Sequence, residues 1–296
     1  MITTPPPAVT GPSFRADRVS RSRKLRDRLA TAAMWAAFGA AALPLAFIVF
    51  YVARAGMRLF NYDFLVTNIP IISSQPGPGM APAVVGTIVI TGAATLIAVP
   101  LGVMGAIYLN EYGKQSALAK FIRLMTDVMS GVPSIVMGLF IYTIWVLRYG
   151  LSGFAGALAL ACLMLPIVVR TSEEMLRLVP SGLREASAAL GARTWRTTLR
   201  IVLPAALPGI VSGAMLAVAR AAGETAPLLF TIGLVSKPNP KLFGSNTALS
   251  AQIFRNAQVP FPAAQDRAWG AALTLILLVF LLTITARVIT ARFARK

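Results

Sequence analysis

Two charged residues stand four positions apart within a long apolar stretch of this sequence. Arg220 and Glu224 are the only charged side chains between about residues 205 and 235. Residues four apart on a helix share a face, so these two side chains can pair. A guanidinium presents a planar fork of donors that fits the oxygens of an oxyanion, and it keeps its charge when partly desolvated. The pattern indicates an anion site, and an ion pair that only fixes helix packing is the alternative.

Other kinds of chemistry lack the residues that they need. The sequence has no histidine and one cysteine, Cys162, which excludes histidine acid-base catalysis, histidine metal ligation and a disulfide framework. It also lacks the phosphate loop Gly-x-x-x-x-Gly-Lys followed by Ser or Thr, so the chain cannot hydrolyse ATP by that route. We predict that the chain is not an enzyme and has no catalytic residue, no metal site and no cofactor of its own.

Residues 181–204 are too polar to cross a membrane, although the segments on both sides are apolar. We predict two short helices here, capped by Ser181 and Thr194, with Gly191 as a left-handed residue between them. Apolar side chains recur at helical spacing at Leu183, Ala186 and Leu190, and then at Trp195, Leu199 and Val202. Such an elbow suits docking in a groove on another protein, and an ordinary amphipathic loop is the alternative.

Composition places these segments in a membrane protein. Of the 296 residues, 56% are hydrophobic and 13% are charged, which is about half the usual charged share. The net charge of +18 would also fit nucleic-acid binding, but the basic residues lie between apolar segments rather than on one face. We therefore predict an all-α polytopic membrane protein that contacts lipid and does not bind nucleic acid.

Six apolar segments are long enough to cross a bilayer, at roughly 20 residues per crossing. We predict six transmembrane helices at about residues 29–52, 82–109, 121–146, 152–169, 205–235 and 267–289. Residues 1–28 are rich in proline and then in arginine, which predicts a disordered basic tail before a transmembrane domain over residues 29–296. A cleaved signal peptide is the alternative for the first segment, but its apolar core exceeds the roughly 7 to 15 residues of such peptides.

The basic residues predict the orientation of the chain. With the amino terminus inside, twenty Lys and Arg residues lie on the cytoplasmic side and seven on the other, and Arg220 lies within the fifth segment. The positive-inside rule then places both termini and the elbow in the cytoplasm. Arg170 falls at the cytoplasmic end of the fourth segment, either as an interfacial charge or at the inner mouth of a pathway, and Asp127 is similar.

The fifth segment also contains a G-x-x-x-G pair, Gly209 and Gly213. This spacing permits two helices to approach closely, although it is common. We assign it to helix packing, with a neighbouring subunit as the expected partner.

A motif at fixed spacing runs through the elbow. Glu185-Ala186-Ser187 is followed by Gly191 after three residues, by Ile201 after nine more, and then by Leu203-Pro204. This pattern resembles the EAA loop in permeases of ATP-binding cassette (ABC) importers, with Ser187 where that family favours alanine. The resemblance implies a type I ABC importer permease fold, in which residues 181–191 are the coupling helix that fits a cleft on a cytoplasmic ATPase subunit. The implied coupling residues are Arg184, Glu185, Ala186, Ser187 and Gly191.

Three further segments are similar to the PstA family of phosphate permeases. They run from Arg220 to Thr231, from Ser130 to Val136, and from Leu165 to Thr171 with Glu173 to Leu176 after it. The resemblance implies a permease that moves inorganic phosphate into the cytoplasm. The substrate-pathway residues would be Arg220, Glu224, Arg170 and Thr225.

The same resemblance implies a set of partners in a bacterial plasma (inner) membrane. They are a second permease subunit of the PstC type, a dimer of PstB-type ATPase subunits that hold ATP and Mg²⁺, and an extracytoplasmic phosphate-binding protein of the PstS type. The residues alone leave other functions open, because one guanidinium does not distinguish phosphate from sulfate or molybdate. A self-sufficient anion channel or carrier using Arg220 and Glu224 is a second possibility, and a membrane scaffold or sensor is a third.

Overall fold

The computed structural model describes residues 21–113 and 115–293, and every regular element among them is helical, so the all-α prediction is confirmed. In chain order the helices are α1 (Arg21–Gly56), α2 (Tyr62–Val66), α3 (Ala81–Ile107), α4 (Ala117–Gly131), α5 (Ser134–Ile141), α6 (Leu147–Tyr149), α7 (Gly153–Leu178), α8 (Ser181–Ala189), α9 (Thr194–Thr197), α10 (Leu203–Ala222), α11 (Ala226–Thr231), α12 (Leu249–Ala257) and α13 (Pro262–Phe293). Short π-helical turns over Tyr108–Gly113, Tyr142–Val146 and Thr198–Val202 follow α3, α5 and α9.

The described residues fall into two compact units, divided between Tyr51 and Val52. In the first unit, α1 exposes large apolar side chains such as Trp35, Phe38 and Phe47. The disordered tail predicted over residues 1–28 is wrong for residues 21–28, which are helical, and residues 1–20 lie outside the described part of the chain. The helix forms because residues 21–38 contain no glycine or proline and are rich in Arg, Leu and Ala.

The centre of the second unit is a close packing of α3 against α7. The two helices run in parallel, because Ile90 lies beside Gly156 and Gly102 lies beside Val168 further along both. A Cβ atom at Gly102 would be 2.7 Å from Cγ1 of Val168, so only glycine permits this approach. Alanine side chains fill much of the remaining contact, with Ala94, Ala98, Ala157 and Ala161 all buried.

Helix α10 also packs closely on α7, and the two helices run antiparallel. Gly209 lies against Met175 and Gly213 lies against Thr171, four residues earlier in α7. The G-x-x-x-G pair therefore mediates close helix contact, as predicted, but its partner belongs to this chain and not to a neighbouring subunit. The small residues on α10 complement larger side chains on α7, so the two helices approach closely.

Five helices in the described residues are long and apolar enough to cross a membrane, and a bent pair makes a sixth if it counts as one span. The bent pair replaces the single helix predicted at about residues 121–146. The chain bends by 106° between α4 and the helical segment Ser134–Tyr149, which begins with α5, because Val132 is extended and Pro133 follows it. Proline disfavours helical conformation in the residue before it and lacks an N–H for the ladder, so one straight span cannot form.

The fifth predicted segment, residues 205–235, is also interrupted. Helix α10 ends at Ala222, and α11 begins at Ala226 after a break that contains Gly223. The break lies inside the bundle, because Ala217 and Ala221 belong to the same buried cluster as residues from the middle of α7. Arg220 is therefore in the last turn of α10 rather than midway along a continuous helix.

The remaining predicted segments correspond to helices with different ends. With its π-helical turn, α3 extends to Gly113 instead of residue 109, and α7 extends to Leu178 instead of residue 169. Helix α1 spans residues 21–56 and α13 spans residues 262–293, each longer than predicted. Hydropathy marks only the apolar part of a helix, and the charged residues after position 169 do not stop helical hydrogen bonding.

We expect Gly138→Ala to destabilise the bundle, because a Cβ atom there would lie 2.5 Å from the Cα atom of Pro227 in α11. Overpacking of this kind costs about 1 to 3 kcal/mol. The matched control is Gly92→Ala in α3, where no atom of another element lies within 4 Å of the added Cβ. This control should be neutral or stabilising by up to about 1 kcal/mol. Thermal unfolding midpoints in detergent test the prediction, and equal midpoints for the two variants would contradict it.

Candidate functional site

The predicted pair of Arg220 and Glu224 is present at the end of α10. The Nε atom of Arg220 lies 3.8 Å from Oε1 of Glu224, which is a loose ion pair. The Arg220 side chain is 72% exposed, whereas the Glu224 side chain is 21% exposed. The pair is therefore not a buried ion pair, because the guanidinium is largely exposed while the carboxylate is mostly covered.

The backbone of the break is fixed by hydrogen bonds from neighbouring elements. The Ser250 hydroxyl in α12 donates to the Glu224 carbonyl at 2.8 Å, and the Glu224 N–H donates to the Ala221 carbonyl at 3.1 Å. Thr225 is half-buried at the N-cap position of α11, and its carbonyl accepts from the N–H groups of the first turn. Gly223 ends α10, and Pro227 suits the first turn of α11, where no helical N–H is required.

Arg170 lies apart from this pair. Its guanidinium pairs with the Asp127 carboxylate of α4, and both side chains are about half exposed. The pair borders a polar cavity of about 210 Å³, lined by Leu109, Arg123, Thr126, Asp127, Val169, Arg170, Glu173, Glu174 and Arg177. Arg220, Glu224 and Thr225 do not line this cavity. Of the four predicted pathway residues, these three therefore lie together at the break after α10, and Arg170 lies apart from them.

Glu173 in the same cavity is a buried ion-pair centre that the sequence analysis missed. Its Oε1 atom accepts from Nη2 of Arg123 at 2.9 Å and from Nη2 of Arg177 at 2.6 Å. Arg123 Nη2 also donates to the Leu109 carbonyl at 3.0 Å, which joins α4 to the π-helical turn after α3. The spacing of Glu173 and Arg177, four residues apart on α7, was the available signal.

The elbow forms as two short helices with Gly191 between them. Gly191 has a φ of +75°, a left-handed conformation that glycine adopts without strain. The N-cap positions are occupied by Pro180 and Arg193, so the predicted caps at Ser181 and Thr194 are each one residue late. Proline at position 180 has no N–H and a fixed φ, so the helix starts immediately after it.

A buried hydrogen bond links the two arms of the elbow. The Ser187 hydroxyl lies 2.8 Å from the Thr197 hydroxyl, and both side chains are buried. Alanine, which the EAA pattern favours at this position, could not make this bond. The departure from the motif at Ser187 therefore adds a link that fixes the angle of the elbow.

The apolar face of the elbow points away from the bundle. Leu190 is 88% exposed, and Leu183, Ala186, Trp195 and Leu199 are exposed as well. Glu185 is exposed on the same helix, whereas Val202, which the sequence analysis assigned to this face, is fully buried. An exposed apolar face on a short, fixed helix can bind in a groove of a partner protein.

Arg184 fixes the elbow to the bundle instead of facing outward. Its Nη2 atom donates to Oε1 of Glu111 at 2.9 Å and to the Leu176 carbonyl at 2.8 Å, while Nη1 donates to the Val179 carbonyl at 2.7 Å. The Glu111 side chain is buried. We call this group of contacts the Arg184 clamp. Glu111 was not predicted, and the only sequence signal was an acid directly after a long apolar segment.

Solved structures of ABC importers have the same fold as this chain. A bacterial alginate ABC transporter, in complex with an alginate pentasaccharide-bound periplasmic protein, matches with a TM-score of 0.66 at 15% identity over 90% of this chain and 95% of that chain. An inward-facing MetNI methionine ABC transporter matches with a TM-score of 0.58 at 20% identity over 73% of this chain and 94% of that chain. At these identities the likeness defines the fold, which is that of an ABC importer permease.

Sequence comparison defines the family. The model for "Binding-protein-dependent transport system inner membrane component" matches residues 98–296. The relatives include "Phosphate transport system permease protein PstA 1" of Mycobacterium tuberculosis, 42% identical over 272 residues that cover 90% of this chain and 89% of that protein. They also include "Phosphate transport system permease protein PstA" of Yersinia pestis, 46% identical over 229 residues that cover 77% and 78%. The chain belongs to this family of inner membrane components, among the PstA permeases.

Arg184→Gln should loosen the elbow, because the buried Glu111 carboxylate loses its counter-charge and keeps only the neutral Asn110 amide as a donor, while two backbone carbonyls lose the Arg184 hydrogen bonds. Breaking a fully buried pair costs about 3 to 5 kcal/mol, and the partial exposure of Arg184 reduces this cost. We expect faster chymotrypsin cleavage at Trp195 in the purified chain. Arg193→Gln removes an exposed charge from the same elbow and should leave the rate unchanged. Equal rates for the two variants would show that the Arg184 clamp does not hold the elbow.

Proposed function

We propose that this chain is the transmembrane permease subunit of an ABC importer that moves inorganic phosphate into the cytoplasm. The observation that carries the proposal is the exposed Arg220 guanidinium at a helix break inside the bundle. The PstA relatives are named phosphate transport system permease proteins, which supports phosphate as the substrate. The membrane would be a bacterial plasma (inner) membrane, with both termini and the elbow on the cytoplasmic side.

The geometry of the pair suits passage rather than retention of an anion. At 3.8 Å, the contact between Arg220 and Glu224 is longer than a charge-assisted hydrogen bond of about 2.7 to 2.9 Å. An arriving phosphate would form such bonds with the guanidinium and displace the carboxylate. When the anion leaves, Glu224 again offsets the charge of Arg220. Thr225, directly after Glu224, would contribute a hydroxyl to the same pathway.

The elbow would supply the connection to ATP hydrolysis. The chain lacks a phosphate-binding loop, so ATP and Mg²⁺ would be held by a dimer of PstB-type ATPase subunits. The exposed apolar face of α8, with Glu185 and Ala186 beside it, would dock in a cleft of one such subunit. Ser187, Gly191 and the Arg184 clamp would keep the elbow in shape, so that a pull on it reaches α7.

Two further partners complete the proposed assembly. Arg220 is exposed at the surface of the single chain, which fits a pathway that is closed on its other side by a second permease subunit of the PstC type. An extracytoplasmic phosphate-binding protein of the PstS type would deliver the anion at the end of the bundle opposite to the elbow. Arg170, beside Asp127 and near the elbow end of α7, would lie at the inner mouth of the pathway.

Uptake of labelled phosphate into proteoliposomes tests the proposed class. We expect uptake only by the assembled importer, with ATP and an ATPase partner on the elbow side, and Leu190→Glu should abolish it by placing a charge in the docking face. Uptake by the lone chain would contradict the proposal and favour a self-sufficient channel or carrier. Uptake of sulfate or molybdate in place of phosphate would support the proposed importer class but contradict phosphate as its substrate.

Arg220→Gln tests the pathway. We expect phosphate uptake by the assembled importer to fall by about 10- to 100-fold, since a charge-assisted bond is worth about 1.5 to 3 kcal/mol. Arg220→Lys, which keeps the charge and loses the fork, should retain part of the activity. Arg58→Gln, a change of an exposed arginine outside the bundle's break, is the matched control. Normal uptake by Arg220→Gln at normal membrane abundance would refute this role.

A further inference from the structure

Arg267 is an almost fully buried cation in the second turn of α13, with 1% of its surface exposed. Its Nη1 atom donates to the Gln75 carbonyl and its Nη2 atom to the Ser73 carbonyl, each at 2.7 Å. Its Nε–H group is buried and has no hydrogen-bond partner within the described part of the chain. No carboxylate of those residues forms an ion pair with it.

Among the described residues, no negative charge compensates for Arg267. Buried arginine side chains are nearly always paired, because removing a charge from water is costly unless an opposite charge compensates for it. The two carbonyl groups that accept from Arg267 are neutral dipoles and compensate only in part. The guanidinium also has one donor left over, and a negatively charged acceptor nearby would compensate for its buried charge.

The space beside Arg267 is a polar cavity of about 210 Å³. It is lined by Ile69, Pro70, Ile71, Ser73, Leu234, Val235, Ser236, Gln252, Arg255, Asn256 and Arg267. This set contains two arginines, two serine hydroxyls and no acidic residue. A single water needs roughly 10 to 15 Å³ by the same measure, so a tetrahedral anion with its hydration water fits.

The walls of the cavity are held by hydrogen bonds between elements. The Ile69 N–H donates to the Ser236 carbonyl at 3.1 Å, which joins the loop after α2 to the loop before α12. The Asn256 amide nitrogen donates to the Gln252 side-chain oxygen at 3.2 Å, and the Gln252 amide nitrogen donates to Thr247 at 3.0 Å. Because both of these amides already donate within the wall, the arginines and serine hydroxyls are the main groups left to bind a ligand.

The cavity is at the end of the bundle opposite to the elbow and is separate from Arg220. The loop that contributes Ser236 continues to Leu242, whose carbonyl accepts from the Phe154 N–H at 2.7 Å at the start of α7. Helix α7 ends at Leu178, immediately before the elbow. Neither Arg220 nor Glu224 lines the cavity. Under the proposed orientation, this is the side from which the substrate arrives.

We propose that this cavity binds a tetrahedral oxyanion, with Arg267 and Arg255 as its charged ligands and Ser73 and Ser236 as further donors. The inference deepens the proposed function and rests on it for the identity of the anion, which is inorganic phosphate. The site receives the anion at the entry side before it reaches Arg220. Arg255 is exposed and sets the affinity, while Arg267 supplies the buried charge.

The test measures binding rather than transport. The permease complex, purified without its binding protein and carrying Arg220→Gln to remove the pathway site, is heated with increasing inorganic phosphate against chloride at equal ionic strength. A ligand that binds only the folded state raises the unfolding midpoint. We expect phosphate to raise it, and Arg255→Gln to increase the half-saturating phosphate concentration about tenfold, as for one charge-assisted bond.

Two further variants make the result specific. Lys241→Gln removes an exposed cation from the same loop region outside the cavity and should leave the phosphate effect unchanged. Arg267→Lys keeps the charge but loses the fork, and where it folds it should weaken the phosphate effect as well. The inference is overturned if phosphate does not stabilise the Arg220→Gln complex, or if Arg255→Gln and Lys241→Gln behave alike. If the inference is overturned in either way while the unmodified complex still shows normal ATP-dependent uptake, the proposed function is unaffected.

Discussion

The close contact of α3, α7 and α10 is the constraint on which the other features depend. Within a bilayer, helices gain little from the hydrophobic effect and associate through tight packing of small residues. Gly102 against Val168 and Gly213 against Thr171 bring backbones together at distances that any larger side chain would prevent. This packing fixes the position along the bundle at which α10 ends, and therefore the position of Arg220.

A helix can end inside such a bundle only where the protein satisfies the exposed backbone groups. Non-helical backbone at membrane depth is tolerated where neighbouring protein supplies hydrogen bonds. Ser250 does so for the Glu224 carbonyl, and the first turn of α11 does so for Thr225. Because α7 contacts α10 along its length and the elbow follows α7 directly, one continuous set of contacts joins the exposed face of the elbow to the break.

Three arginines of this chain differ in environment and therefore in what they can do. Arg220 is exposed and loosely paired, which is the environment that the proposed anion pathway requires. Arg184 is paired with a buried carboxylate and two carbonyls, so it holds an element in place. Arg267 is buried without a counter-charge among the described residues, so it can hold an anion. The same guanidinium chemistry supports different roles because burial and partners differ.

The sequence by itself determined the helical membrane class, the elbow around Gly191, and the pairing of Arg220 with Glu224, because hydropathy, glycine conformation and four-residue spacing are local properties. It could not determine where α10 ends, the bend between α4 and α5, or the residues that hold the elbow. Arg184 and Glu111 are 73 positions apart, and Arg267 and Ser73 are 194 apart. Such contacts exist only after the helices have packed, since no local pattern records which distant backbone or carboxylate a side chain will reach.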